Sequence, residues 1–250
     1  MRSLSIGNSF SQDAYGYLHQ IAASLGIEWE CVNLYIGGCS LEYHAENLRE
    51  NRANYDLQIN SASVGKQVSI REALCEMGEF DVITLQQASH FSGKPETYFP
   101  FIKELYDICR ETQPNAKIMI HETWAYEIDA DHGAFPDYNR DQRYMYECLR
   151  DAYTHAAEEL GVDIIPCGDA VQYIRENLTE FDYKNGGLSL NKDGFHMTRH
   201  VGRCLLAFVW IEKILGADVT NSNFIPEDAD ENTAQLIALV RNTVHSLMTD

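Results

Sequence analysis

A chain of 250 residues, 45% of them hydrophobic, can bury one large core, and nothing in its length calls for a second domain. A formal charge of -19 leaves no basic stripe for nucleic-acid phosphates or for an anionic membrane surface, so nucleic acid and membrane are not expected partners. The 7 cysteines are odd in number and lack a C-x-x-C pair, which fits reduced core residues in a cytoplasmic protein rather than a disulfide framework.

The chain opens on an apolar strand, Ser3-Leu4-Ser5-Ile6, that breaks at Gly7-Asn8-Ser9-Phe10-Ser11. A helix is expected over residues 12–25, with Leu18, Ile21, Ala22 and Leu25 on one face and Gly26 at its C-terminal end. Residues 28–36 alternate polar and apolar and run into Gly37-Gly38, a second strand breaking into a loop. Residues 41–78 read as an insertion, helical over 43–51 and then a small hairpin or irregular excursion.

Residues 80–85 form the densest β-forming run and end in the polar tip Gln86-Gln87-Ala88-Ser89-His90. A helix with Ile102, Leu105, Tyr106 and Cys109 inward leads to a strand over 117–121, then to a long loop over 124–139 rich in Asp, Tyr and Gly. Long loops at strand ends are usually functional. A helix from Met145 to Leu160 hands over at Gly161 to a fifth strand, 162–166, and a short helix with Val171 and Ile174 inward follows. Beyond the Lys184-Asn185-Gly186-Gly187 turn lie Asp193-Gly194-Phe195-His196 and two apolar-faced helices, through Val201 to Leu215 and Leu236 to Leu247. Five strands alternating with helices predict a single α/β domain over 1–250, a parallel, doubly wound sheet with right-handed crossovers.

Ser9 then stands at the carboxyl end of a strand, where open α/β sheets hold their ligands. A serine hydroxyl becomes a nucleophile when an imidazole takes its proton and a carboxylate orients that imidazole; His196 and Asp193 can fill those roles. No G-x-S-x-G elbow surrounds Ser9, which disfavours the elbow hydrolases. Each piece has a plainer reading: Ser9 as a helix N-cap, Asp193-Gly194 as a turn, His196 as structural. His121-Glu122 with Asp129, Asp131 and His132 lacks the spacing of a metal site, and no phosphate-loop motif is present. Trp124, Tyr126, Phe135 and Tyr138 can stack on a sugar or cover the core, and His90 and Ser92 are placed to orient substrate.

Gly7-Asn8-Ser9-Phe10-Ser11 resembles the first block of the SGNH or GDSL hydrolases, with Asn8 in place of the usual Asp, and Asp193-Gly194-Phe195-His196 resembles their last block. Gly38 is similar to their second-block glycine. The resemblance implies a flavodoxin-like three-layer α/β/α sandwich with a five-stranded parallel sheet, and ester hydrolysis through an acyl-enzyme without a cofactor. It implies Ser9, Asp193 and His196 as the triad and the N–H groups of Ser9 and Gly38 in the oxyanion hole. The family's Gly-x-Asn-Asp block is replaced by Gln86-Gln87-Ala88-Ser89. A Gln carboxamide carries the same donors, so Gln87, or Gln86 as second choice, is expected to replace the Asn; losing such a donor costs about 3 kcal/mol. The expected substrate is a small-acyl ester, such as an acetylated carbohydrate, with His90 and Trp124 contacting it. The rival expectation is a binding module that kept the fold without catalysis.

Overall fold

The computed structural model describes residues 1–249. Strands β1 (Arg2–Gly7), β2 (Glu30–Tyr35), β3 (Tyr55–Ile59), β4 (Ala62–Val68), β5 (Val82–Leu85), β6 (Lys117–Glu122) and β7 (Asp163–Pro166) form one sheet of 7 strands in the order β4-β3-β2-β1-β5-β6-β7. The five expected strands are its parallel part, with Leu4 of β1 between Val32 and Ile83. The expectation of five is corrected to seven, because the segment 41–78 supplies a hairpin that pairs antiparallel to β2. All but the last residue of β4 is exposed, so it lacks the apolar alternation that marks a strand in sequence.

Helices α1 (Ser9–Ala14), α2 (Leu18–Ser24), α7 (Cys167–Asn177), α8 (Val201–Leu215) and α9 (Glu231–Thr249) make one outer layer, centred on the nearly all-buried α8. The other comprises α3 (Leu41–Arg49), α4 (Ile70–Glu76), α5 (Phe101–Thr112) and α6 (Gln142–Leu160). The single helix expected over 12–25 is two, broken at residues 15–17. A Cβ at Gly16 would lie 2.6 Å from Cδ of Arg203, so the break is where a long-range side chain crosses the chain.

The layers switch at β1: the connection to β2 carries α1 and α2 on one face, and those to β6 and β7 carry α5 and α6 on the other. A crevice at the carboxyl ends of β1, β2 and β5 is the ligand position of such a sheet. Ser9, the Gly37-Gly38 turn and Gln86-Gln87 all sit there.

Candidate functional site

Ser9 is the first residue of α1, and the capping duty falls to Asn8, whose Oδ1 accepts the Phe10 N–H at 3.0 Å. The hydroxyl of Ser9 is therefore released from the N-cap role, while its N–H is among those a helix start leaves without an intrahelical partner. Gly7 is obligatory, since a Cβ there would fall 2.3 Å from Ser11 Oγ.

At the far end of the chain, Asp193 Oδ2 lies 2.8 Å from His196 Nδ1, and Asp193 Oδ1 accepts the His196 backbone N–H at 2.8 Å. Burial pushes the Asp193 carboxyl up, but the bonds from the His196 ring and backbone and from Phe195 N–H outweigh it and hold it below the usual value. An ionised Asp193 requires the Nδ1–H tautomer, which leaves His196 Nε2 as the acceptor. Gly194 has φ +86, and a Cβ there would meet Ala130 at 2.9 Å, so only glycine closes this turn.

The two loops are brought together through their neighbours. Phe10, next to Ser9, stacks on Trp124 with centroids 4.3 Å apart and lies 6.0 Å from the His196 ring. Trp124 Nε1 donates to the Phe195 carbonyl at 2.7 Å. Asp13 Oδ2 accepts the Met197 N–H at 2.8 Å, and its Oδ1 pairs with Arg203. Among the described residues no hydrogen bond joins Ser9 Oγ to His196. Catalytic bonds are commonly loose before substrate arrives.

Asn8 organises the remaining floor. Its Nδ2 donates to the Cys39 carbonyl at 3.1 Å, tying in the turn where Gly38 has φ +65. Its Oδ1 also accepts Gln86 Nε2 at 2.8 Å, and Gln86 Oε1 lies 2.7 Å from His121 Nδ1. The Phe10 N–H settles every proton in this chain: Asn8 must present oxygen, Gln86 must present its NH2, and His121 must carry hydrogen on Nδ1. His121 is fully buried, which pushes its pKa down to about 3 and keeps it neutral.

Three expected contacts are corrected. Gln87 gives its NH2 to the carbonyl and hydroxyl of Thr97, both at 3.1 Å, and its Oε1 takes the N–H groups of Leu41 and Ala88. Two backbone donors at Oε1 forbid the flipped amide, so Gln87 has no N–H left for an oxyanion. Gln86 gives one N–H to Asn8 and is fully buried, which keeps its amide from an oxyanion at the surface of the site. Trp124 is also fully buried, so it supports the His196 loop rather than touching substrate. His90 is half-buried against Phe91, with ring centroids 4.2 Å apart, and 6.5 Å from His132. Ser92 is buried and donates to the Ser89 carbonyl.

The acidic loop residues do not converge with His121-Glu122: Glu122 accepts Asp169 N–H, and Asp129 accepts Tyr183. Among the described residues the one group with metal-ligand spacing is Glu212, Asp218 and His245, and its atoms bond one another and local N–H groups. Asp13, Arg203 and Asn191, whose Nδ2 holds the Phe195 carbonyl at 3.0 Å, escaped sequence reading. Asp13 is one of 38 acidic residues, and only its placement four positions after Ser9, on the same helix face, hinted at a role.

Residues 2–246 match the family described as "Domain of unknown function (DUF4886)". A family member from Bacteroides uniformis is similar over 99% of this chain and 94% of its own, with 33% identity and a TM-score of 0.89. A proposed SGNH hydrolase from Slackia heliotrinireducens shares 22% identity over 86% of this chain and 98% of its own, TM-score 0.58. The acetylxylan esterase Axe2 from Geobacillus stearothermophilus shares 14% identity over 86% and 94%, TM-score 0.53. No curated protein matches. The likenesses establish the SGNH-hydrolase fold, and among the described residues no helix is long and apolar enough to cross a membrane.

Proposed function

The chain belongs to the DUF4886 family, and from that membership on an SGNH-hydrolase fold we propose that it is a serine esterase that removes small acyl groups, acetyl foremost, from carbohydrate. The observation that carries the reading is the Asp193–His196 pair, 2.8 Å apart, clamped to a helix whose first residue is a serine freed from capping. Ser9 Oγ attacks the ester carbonyl as its proton passes to His196 Nε2. The imidazolium, oriented by Asp193, returns that proton to the leaving sugar hydroxyl. Water then attacks the acyl-enzyme, giving one proton to His196 and releasing the carboxylic acid as Ser9 regains its hydrogen.

The N–H groups of Ser9 and Gly38 hold the oxyanion in this reading. A cavity of about 170 Å³ lies beside that turn, lined by Ser40, Glu42, Gln87, Phe91, Glu96, Thr97 and Phe101. That Axe2 is an acetylxylan esterase supports the choice of acetyl on a sugar.

The rival reading, a binding module without turnover, is favoured by one observation: neither Gln86 nor Gln87 offers the third oxyanion donor. Hydrolysis of p-nitrophenyl acetate and butyrate by the wild type, Ser9→Ala and His196→Ala separates the two. The esterase reading expects turnover that falls by roughly 10⁴-fold or more in both variants, with acetate preferred, and labelling of wild-type Ser9 by a fluorophosphonate. A folded wild type that neither turns over ester nor takes the label sinks it.

A further inference from the structure

We propose that His121 is a positioning residue for the turn that carries Gly38, acting through a hydrogen-bond ladder across the carboxyl ends of β6, β5, β1 and β2, in their order in the sheet. The role rests on the esterase reading for what that turn binds, while the ladder itself does not. His121 Nδ1 lies 2.7 Å from Gln86 Oε1, Gln86 Nε2 donates to Asn8 Oδ1 at 2.8 Å, and Asn8 Nδ2 donates to the Cys39 carbonyl at 3.1 Å. Each rung joins a different strand end, so displacement of one is passed along to the turn after β2.

Burial commits the ladder to one arrangement. His121, Gln86, Asn8 and Cys39 are all buried, so a lost rung is not made good by bulk water. The Phe10 N–H holds Asn8 with its oxygen toward Gln86, and the proton order that follows ends on His121 Nδ1–H as the last donor. The other side of the turn is held from β5 as well, where Gln87 Oε1 accepts the Leu41 N–H at 3.0 Å. Residues 39 and 41 are thus fixed by two adjacent glutamines, one through Asn8 and one directly, and Gly38, with φ +65, precedes both anchors. The tip that supplies no third oxyanion donor frames the second.

Packing alone does not explain a histidine at this position. The ring stands edge-on to Trp210 with centroids 5.2 Å apart, and among the described residues its buried Nε2 has no hydrogen-bond partner. Phenylalanine would fill the same space without sealing an unpaired polar atom away from water. What phenylalanine cannot supply is the Nδ1–H that Gln86 Oε1 receives.

The test compares His121→Phe, which keeps a ring and loses the donor, with His121→Asn, whose amide N–H can take the place of Nδ1–H but leaves a cavity beside Trp210. In urea unfolding His121→Asn is expected to be the less stable of the two. In p-nitrophenyl acetate hydrolysis the order should reverse. His121→Asn stays within about 3-fold of the wild-type kcat and His121→Phe falls about 30-fold, with KM little changed, because a displaced turn forfeits part of what an oxyanion donor gives. Gln86→Met, which deletes the middle rung at similar volume, should match His121→Phe and replaces it in the comparison if that variant does not fold. Long-range nitrogen–hydrogen NMR correlations of the wild type should place the His121 hydrogen on Nδ1. A kcat that follows stability across the variants, or a hydrogen on Nε2, overturns the positioning role. A folded wild type without ester turnover sinks the esterase reading and this role with it, whereas turnover with the kcat order unreversed sinks the role alone.

Discussion

The carboxylate of Asp13 reaches across the chain to accept the backbone N–H of Met197 at 2.8 Å, so the helix that starts at Ser9 and the loop that ends at His196 share one buried anchor. Burial pushes the Asp13 carboxyl above its ordinary 3.8, and Arg203, the Met197 N–H and His196 pull back against it. Ser9 and His196 are thus spaced by a contact that touches neither, between a residue 4 positions after Ser9 and a residue 1 position after His196.

Asp13→Ala is therefore expected to lower stability by about 2 kcal/mol, because it leaves the buried Met197 N–H and the partly buried Arg203 without their partner. It should also cut kcat about 100-fold while moving KM little, since an ångström of misplacement in the base is that costly. Asp13→Asn keeps an oxygen for Met197 and should retain more of kcat than it retains of stability. Urea unfolding and p-nitrophenyl acetate kinetics on the pair check this; an Ala variant with wild-type kcat would refute the anchor.

Asn8 departs from the Asp expected at its position, and the structure gives a reason. One side-chain atom accepts from Phe10 and Gln86, while the other faces the Cys39 carbonyl and must donate. Asn8→Asp is predicted to place oxygen against oxygen there, loosening the turn that carries Gly38, at about 1–3 kcal/mol in stability. In the esterase reading the loss should fall on kcat, because the Gly38 N–H of that turn is assigned to the oxyanion. Asn8→Asp at wild-type stability and kcat would show that the Cys39 contact is dispensable.

What was legible in the sequence was what is local. The apolar runs of β1, β5 and β6 and the Asp193-to-His196 spacing are each contained within a few residues, so strands and dyad could be read directly. The ranking of Gln87 over Gln86 as an oxyanion donor had no such local basis, because their rotamers are chosen by Thr97, Leu41, Asn8 and His121, which the fold delivers from other elements. Trp124 misled for the same reason: a loop aromatic is buried or exposed according to what packs on it, here Phe10. The break at Gly16 needed Arg203, and the exposed β4 carried no alternation to find.

A pH dependence follows at the far side of α8. His245 on α9 lies 2.8 Å from the buried Glu212 carboxylate and 3.4 Å from Asp218, and the hydrogen bond to Glu212 raises its pKa above the ordinary 6.5 despite some desolvation. The folded state thus holds this proton more tightly than the unfolded chain. The stabilisation is fully present below the unfolded pKa and is lost as pH rises through the folded one. The stability gap between wild type and His245→Ala should accordingly be larger near about pH 5.5 than near about pH 8.5, in urea melts at low salt, where Debye screening is weak. His245→Gln, which can still donate to Glu212 but cannot titrate, should remove the pH dependence of the gap while keeping part of the docking of Leu236, Val240 and Val244 onto the body. A gap that is flat or widens with pH would mean that α9 is held by its apolar face alone.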